Sequence, residues 1–287
     1  MRKMGYLGPK GSFSEETIHL FVATYSEFNE SFPELIPFPT IPRLLIACND
    51  QKVDWDFVPL ENSTEGQLGV TMDTLAQTEY LFITHEFTHP IDQCLLAHEP
   101  MPLEQIERVY AYEQAFEQCQ DFLETHLSHA EQLTCLSTTE AAHRISSIRE
   151  NWAAIGPRRA AHLYNLHLLQ ERIQDITLNP TRFILVGHNL SEMSAAEDKT
   201  SLLIIAENTP GALYRILGEF SKRQINLSRI ESRPSKRKLG EYVFFVDIDG
   251  YVFAPPIQEV LWAFKEANIY VKLLGSYPKA VPDETIF

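Results

Sequence analysis

The sequence is poor in cysteine, has no glycine-rich nucleotide fingerprint and no long apolar run, and carries no excess of positive charge. Cys48, Cys94, Cys119 and Cys135 are all its thiols in 287 residues. No pair has the short spacing of a zinc knuckle or a redox dithiol, so buried thiols in a reducing compartment are expected. The patterns GxxxxGK[ST] and GxGxxG are both absent, which argues against a P-loop or a dinucleotide fold. No GxSxG elbow offers a serine nucleophile. Chemistry without a cofactor or a metal is therefore favoured. No stretch approaches the ~18 apolar residues of a membrane span. The opening MRKMGYLG meets glycine too soon to carry an apolar signal core. A cytoplasmic chain with no membrane partner is expected. A formal net charge of -15 disfavours a general nucleic-acid partner, so an anionic ligand must be held by specific groups.

His85-Glu86-Phe87-Thr88-His89 matches the zinc-protease pattern in letters. That site needs a helix to bring both histidines to one face. Here Tyr80-Leu81-Phe82-Ile83-Thr84 precedes it and Pro90 follows, so the stretch reads as a strand.

What is present is a recurring order of strand, small polar turn and helix. Strands are expected at 4–7, 57–60, 94–97, 133–136, 153–156 and 183–186. Helices are expected from 14 to about 28, at 41–48, from 70, at 115–126 and at 159–170. This is an α/β pattern with a largely parallel sheet. Two lobes with a cleft between them are expected over residues 1–187. Residues 188–200 form a polar linker. Residues 201–278 then show the β-α-β-β-α-β order of a ferredoxin-like unit, with a tail at 279–287.

Lys10-Gly11-Ser12, Asn62-Ser63-Thr64 and Ser137-Thr138-Thr139 each stand between a strand and a helix. Free backbone N–H groups and hydroxyls there form an anion cradle, or the serines serve only as helix caps. Asn179-Pro180-Thr181-Arg182-Phe183 places a hydroxyl and a guanidinium at the start of a strand. Adjacent residues alternate in direction on a strand, but both can reach a cleft if the strand begins there. Arg182 would pair with a carboxylate in a forked geometry, and Thr181 would hydrogen-bond a leaving oxygen. In the C-terminal unit, Pro210-Gly211-Ala212 opens a helix with little side-chain bulk. The nearby run of Arg215, Lys222, Arg223, Arg229, Arg233, Lys236, Arg237 and Lys238 has no aromatic RNA-binding pattern beside it.

At these residues the chain resembles the prephenate dehydratase family. The likeness starts with Gly5-Tyr6-Leu7-Gly8-Pro9-Lys10-Gly11-Ser12-Phe13-Ser14. It continues in Val58-Pro59-Leu60-Glu61-Asn62-Ser63-Thr64-Glu65-Gly66, Ser137-Thr138-Thr139-Glu140 and Asn179-Pro180-Thr181-Arg182-Phe183. Gly211-Ala212-Leu213 and Glu231-Ser232-Arg233-Pro234 resemble the phenylalanine-binding motifs of an ACT domain. The resemblance implies a two-lobed catalytic domain like a periplasmic binding protein, followed by a ferredoxin-like ACT domain. It implies conversion of prephenate to phenylpyruvate, carbon dioxide and water, with feedback inhibition by phenylalanine. The catalytic residues implied are Thr181, Arg182, Phe183 and Asn62. Ser12, Glu61, Ser63, Gln114, Gln118, Thr138 and Thr139 would bind substrate, with Glu61 orienting the other groups. Phenylalanine would contact Gly211, Ala212, Leu213, Asn226, Leu227, Glu231, Ser232, Arg233 and Pro234, between ACT domains of a homodimer or homotetramer. The chain departs from the family at Ala111-Tyr112-Glu113, where Ser-His-Pro is usual, at Gln93, where histidine is usual, and at Asn165, where glycine is usual. Those departures leave a prephenate-binding protein, or a decarboxylase that does not aromatise, as the alternatives.

Overall fold

The computed structural model describes residues 2–29, 31–63, 66–176, 179–194, 197–206, 209–235 and 242–280. The chain opens with β1 (Lys3–Leu7), α1 (Phe13–Thr24), α2 (Ser26–Asn29), β2 (Glu34–Phe38) and α3 (Ile41–Asn49). β3 (Trp55–Asn62), β4 (Gly66–Gln67), α4 (Gly69–Gln77) and β5 (Phe82–Pro90) follow. A second lobe holds β6 (Cys94–Ala97), β7 (Arg108–Tyr112), α5 (Glu113–Gln118), α6 (Gln120–His126) and β8 (Glu131–Cys135). It ends with α7 (Thr138–Ser146), β9 (Trp152–Gly156), α8 (Arg158–Tyr164) and β10 (His167–Gln170). The chain then returns to the first lobe as β11 (Pro180–Gly187). The C-terminal unit is β12 (Asp198–Ala206), α9 (Ala212–Lys222), β13 (Leu227–Pro234), β14 (Tyr242–Asp249), α10 (Pro255–Glu266) and β15 (Tyr270–Pro278). Residues 281–287, most of the expected tail, and the basic residues 236–238 lie outside the described residues.

The large sheet runs β13-β14-β12-β15-β5-β11-β3-β1-β2, and the second lobe's sheet runs β10-β6-β9-β7-β8. Both are mixed, not largely parallel. β1 is parallel to β2 and β3, but β11 is antiparallel to both β3 and β5. The reason is the route of the chain: β11 comes back from the second lobe and enters the first from the cleft end. The two crossings are bonded to each other, Ile91 N donating to Asn179 O at 3.1 Å and Ile173 N to Gln93 O at 3.0 Å.

Each face of the sheets is covered. α1 and α2 pack on Met4, Tyr6, Phe57, Phe183 and Leu185. α3 and α4 pack on Val58, Ile184 and Val186 from the other side, together with Leu203, Val243, Phe245 and Leu274 of the C-terminal unit. That unit is therefore a sheet buried on both faces, by its own α9 and α10 on one side and by the first lobe on the other. Gly275 is the residue that joins β15 to β5, opposite Ile83. Any side chain at 275 would run into the Ile83 backbone.

Three expected helices are shorter than the hydrophobic spacing implies, and the one expected from 14 to about 28 breaks at Tyr25, whose extended backbone separates α1 from α2. The helix expected at 159–170 stops at Tyr164, because Asn165 takes the left-handed conformation at φ 52° and caps it. His167–Gln170 is instead a strand against β6. The helix expected at 115–126 breaks at Cys119 into α5 and α6. The zinc-protease letters lie on β5 as their flanks imply. His85 packs against Phe21, Tyr25 and Phe28, and burial pulls its pKa down to about 4.

Candidate active site

Between the lobes lies a cleft of about 300 Å³. Two helix N-termini open onto it from opposite sides. Ser12 caps α1, accepting from Glu15 N at 3.4 Å and donating to Leu7 O at 3.2 Å. Glu15 reaches back past the cap to the Gly11 N–H, while the Ser12 N–H donates to Pro9 O at 3.3 Å. Gly11 turns into the helix at φ +83°, where a side chain would press on Thr139 and Leu163 of the facing lobe. Across the cleft Ser137 caps α7, accepting from Glu140 N at 3.0 Å, and Glu140 accepts from Leu136 N at 2.8 Å. Caps and cradle are thus the same residues. Each serine satisfies one N–H and leaves the rest of the helix start facing the cleft. Beside the cleft Arg159 ties the lobes, its Nη2 3.2 Å from Glu15 Oε1 and its N–H 2.7 Å from Glu16 Oε2.

The floor is β11. Thr181 and Phe183 point into the cleft, and Phe183 is fixed by stacking on Phe57 at 5.0 Å. Asn62 Nδ2 donates to Thr181 Oγ1 at 2.8 Å. That bond occupies the threonine oxygen as an acceptor and leaves its hydrogen to be donated into the cleft. Leu7, Phe13, Pro59, Leu68 and Ile91 add apolar wall. Gln114, Gln118, Thr138 and Thr139 line the cleft as the motifs imply. Thr139 Oγ1 is buried and has no hydrogen-bond partner among the described residues. Ser63 does not line it; its hydroxyl donates to Asn179 Oδ1 at 3.2 Å and so supports a residue that does. Thr64 and Glu65 of the same motif lie outside the described residues.

Among the described residues, five polar side chains that line the cleft, Ser14, Gln93, Tyr112, Ser137 and Asn179, are absent from the set of site residues the resemblance implies. Gln93 and Asn179 sit on the two lobe crossings. Gln93 Nε2 donates to Gln118 Oε1 at 3.0 Å, and its Oε1 is buried with no partner among the described residues. Tyr112 ends β7 where the family's usual Ser-His-Pro is missing, and its ring lines the cleft.

Arg182 is not in the cleft, which corrects its expected role as a carboxylate anchor. The strand alternation already holds at its position, so Thr181, Phe183 and Leu185 face α1 while Arg182, Ile184 and Val186 face the opposite side. Its guanidinium bonds Glu86, Asp247 and Tyr277. Glu61, its cross-strand partner, shares that outer face at 3.9 Å from Arg182 and does not line the cleft. Among the described residues, no side chain lining the cleft carries a formal charge. An anion there meets helix starts, amides and hydroxyls only.

The residues expected to hold phenylalanine do not form one site within the chain. Gly211 starts α9 at φ 78°, just beyond Ala206, whose strand partner is Tyr242. Asn226 and Leu227 lie at the other end of the sheet, where Asn226 Nδ2 donates to Asp249 at 3.0 Å. Ser232 pairs with Phe244 on the face that carries α9, whereas Glu231 and Arg233 pair with Phe245 and Val243 on the face turned to the first lobe. Arg233 forks onto Asp73 of α4 at 2.9 and 3.2 Å. Glu231 accepts from Arg229 at 2.7 Å. Arg233 is thus an interdomain contact, with Glu231 accepting from it at 3.3 Å on the same face, again because of strand alternation.

A neutral, donor-lined cleft between two α/β lobes, fused to a ferredoxin-like unit, defines a cleft protein for a small anion with an attached sensor. The chain belongs to the prephenate dehydratase family, whose model matches residues 4–191, and the ACT domain model matches residues 200–251. The prephenate dehydratase of Bacillus subtilis is 34% identical over 96% of this chain and 98% of its own. A crystal structure of the Arthrobacter aurescens prephenate dehydratase in complex with L-Phe aligns at a TM-score of 0.84 with 32% identity. It covers 98% of this chain and 91% of that one. A chain described as a novel type of quorum quenching acylase also aligns at 0.84, over 98% of this chain and 99% of its own. Its 23% identity shows the shared fold alone.

Proposed function

We infer that the chain is a prephenate dehydratase, forming phenylpyruvate, carbon dioxide and water, and that phenylalanine inhibits it. The observation that carries this is the Asn62–Thr181 hydrogen bond of 2.8 Å on the floor of an uncharged cleft. Prephenate carries two carboxylates and a ring hydroxyl. The N-termini of α1 and α7 receive the carboxylates, since backbone N–H groups and the helix dipole favour anions without a side-chain cation. Phe183, Phe13 and Ile91 flank the ring. The ring carboxylate leaves as CO2, its bonding pair enters the ring, and the hydroxyl departs from the opposite carbon, taking up one proton from solvent to become water. Thr181 hydrogen-bonds that oxygen, and the bond strengthens as charge gathers there. Asn62 aims it. Thr139 Oγ1 can donate to a substrate oxygen, whereas Gln93 Oε1 can only accept, from the ring hydroxyl.

The ACT domain supplies half-sites for phenylalanine at opposite ends of its sheet. We place the effector between two chains, Gly211 to Leu213 of one meeting Asn226 and Leu227 of the other. A homodimer or a dimer of dimers follows from such a self-complementary contact. All four thiols are free and buried, which suits a cytoplasmic setting.

The test is the product. Prephenate is added to pure protein, and phenylpyruvate is followed by its ultraviolet absorbance in alkali. Product well above the uncatalysed rate supports the function. CO2 release without phenylpyruvate would point to a non-aromatising decarboxylase, and calorimetric binding without either to a binding protein.

A further inference from the structure

Arg182 is the point at which two ACT strands, β14 and β15, meet the strand that carries Thr181. Its Nε and Nη2 bond Glu86 Oε2 on β5 at 2.8 and 2.7 Å. Nη1 bonds Asp247 Oδ2 on β14 at 3.0 Å, and Nη2 donates to the Tyr277 hydroxyl on β15 at 3.1 Å. Ser201 on β12 closes the ring, donating to Asp247 Oδ1 at 2.6 Å and standing 2.7 Å from the Tyr277 hydroxyl. Lys199 binds the far side of Glu86 at 2.8 Å. Glu86, Asp247, Ser201 and Tyr277 are each at most 3% exposed. Burial opposes the charge on Arg182, but Tyr277, Asp247 and Glu86 outweigh it and keep the guanidinium protonated. A buried cluster of this kind tolerates little change in geometry, because any partner left alone is a desolvated charge.

We propose that Arg182 is a positioning residue for the reaction, through which the ACT domain fixes where the Thr181 hydroxyl stands. The proposal rests on the role given to Thr181 above. The two residues share a peptide bond on β11, one side chain on each face of the sheet. A shift of β14 or β15 against β5 pulls on Arg182 and turns the strand at Thr181. A misplacement of about 1 Å in a reacting group can cost about a hundredfold in rate. The same linkage gives the effector a route to the cleft, since both ends lie on one continuous sheet.

The test uses the full chain and two variants, Tyr277→Phe, which deletes a single oxygen, and Arg182→Lys, which keeps the charge but cannot fork. Both are to be checked for an unchanged melting profile. Each is expected to lower kcat about tenfold with KM for prephenate within about twofold, the pattern of an interaction realised in the transition state. Combined with Thr181→Ala, neither should lower the residual rate further, because nothing is left to position. A raised KM at unchanged kcat in Arg182→Lys would make Arg182 a substrate anchor and overturn the proposal. So would losses that multiply with Thr181→Ala, or a Tyr277→Phe enzyme with wild-type kcat. If Arg182→Lys does not fold, Tyr277→Phe and its double variant decide the matter alone. Failure of the wild-type chain to make phenylpyruvate would count against the proposed function, a separate outcome from these.

Discussion

Thr181 and Arg182 are adjacent in the chain and serve opposite faces of the sheet. Their motif announced that a hydroxyl and a guanidinium matter at this point. Strand alternation decided that only the hydroxyl reaches the cleft, with Phe183 beside it. Asn179 opens that motif and Gln93 marks a departure from the family, but neither was assigned to the site, because the lobe crossings bring them to the cleft and no periodicity encodes a crossing. Asp56 is another residue whose environment only the fold reveals. It is fully buried on β3, and burial pushes its pKa up to about 8, against a smaller opposing effect from the Cys48 backbone. In the unfolded chain its pKa is about 3.9. Below that value both states are protonated and nothing is lost. Between about 4 and 8 folding must take up a proton, so this residue costs up to about 1.4 kcal/mol of stability per pH unit. Asp56→Asn removes that slope. Denaturant titrations of both proteins from pH 5 to pH 8 should show the variant gaining steadily over the wild type. A stability difference independent of pH would mean that Asp56 is ionised in the folded protein.

At the scale of elements, existence was easier to read than extent. Ser12 and Ser137 marked the starts of α1 and α7, because a cap is a local chemical device. Ends were less visible. Leu163, Leu166 and Leu169 keep a helical spacing across a point where the backbone leaves the helix. What stops α8 is the conformation of Asn165, and what claims the next residues is pairing with β6, Leu168 against Leu96. A single sequence shows neither. Asn165 stands where the family usually has glycine, and both residue types accept positive φ. Asn165→Ala should therefore cost about 1 kcal/mol in thermal or denaturant unfolding, and Asn165→Gly close to nothing. Equal losses in both would assign the effect to the side chain's contacts instead.

At the scale of the molecule, the domain order and the ferredoxin-like unit were legible, because six elements in βαββαβ order leave few alternatives. Their docking was not, since Leu203, Val243, Phe245 and Leu274 read equally as the core of an isolated domain. Removing the ACT domain would strip α3 and α4 of that cover and take Asp247, Tyr277 and Lys199 away from the Arg182–Glu86 pair. Regulation is therefore better tested on the intact chain. With half-sites at opposite ends of the sheet, phenylalanine inhibition should require a dimer, and phenylalanine should tighten association in sedimentation at micromolar protein. Inhibition of a chain that stays monomeric throughout would move the effector site into a single subunit. The central claim is that the Thr181 hydroxyl assists departure of the ring oxygen without holding the substrate. Its most direct test is the turnover of prephenate by Thr181→Ala beside calorimetric binding of prephenate to the same variant. The account predicts a fall in kcat of about 10²–10³, as for loss of one oxyanion donor, with affinity nearly unchanged. Wild-type turnover by Thr181→Ala, or a loss confined to binding, would contradict it.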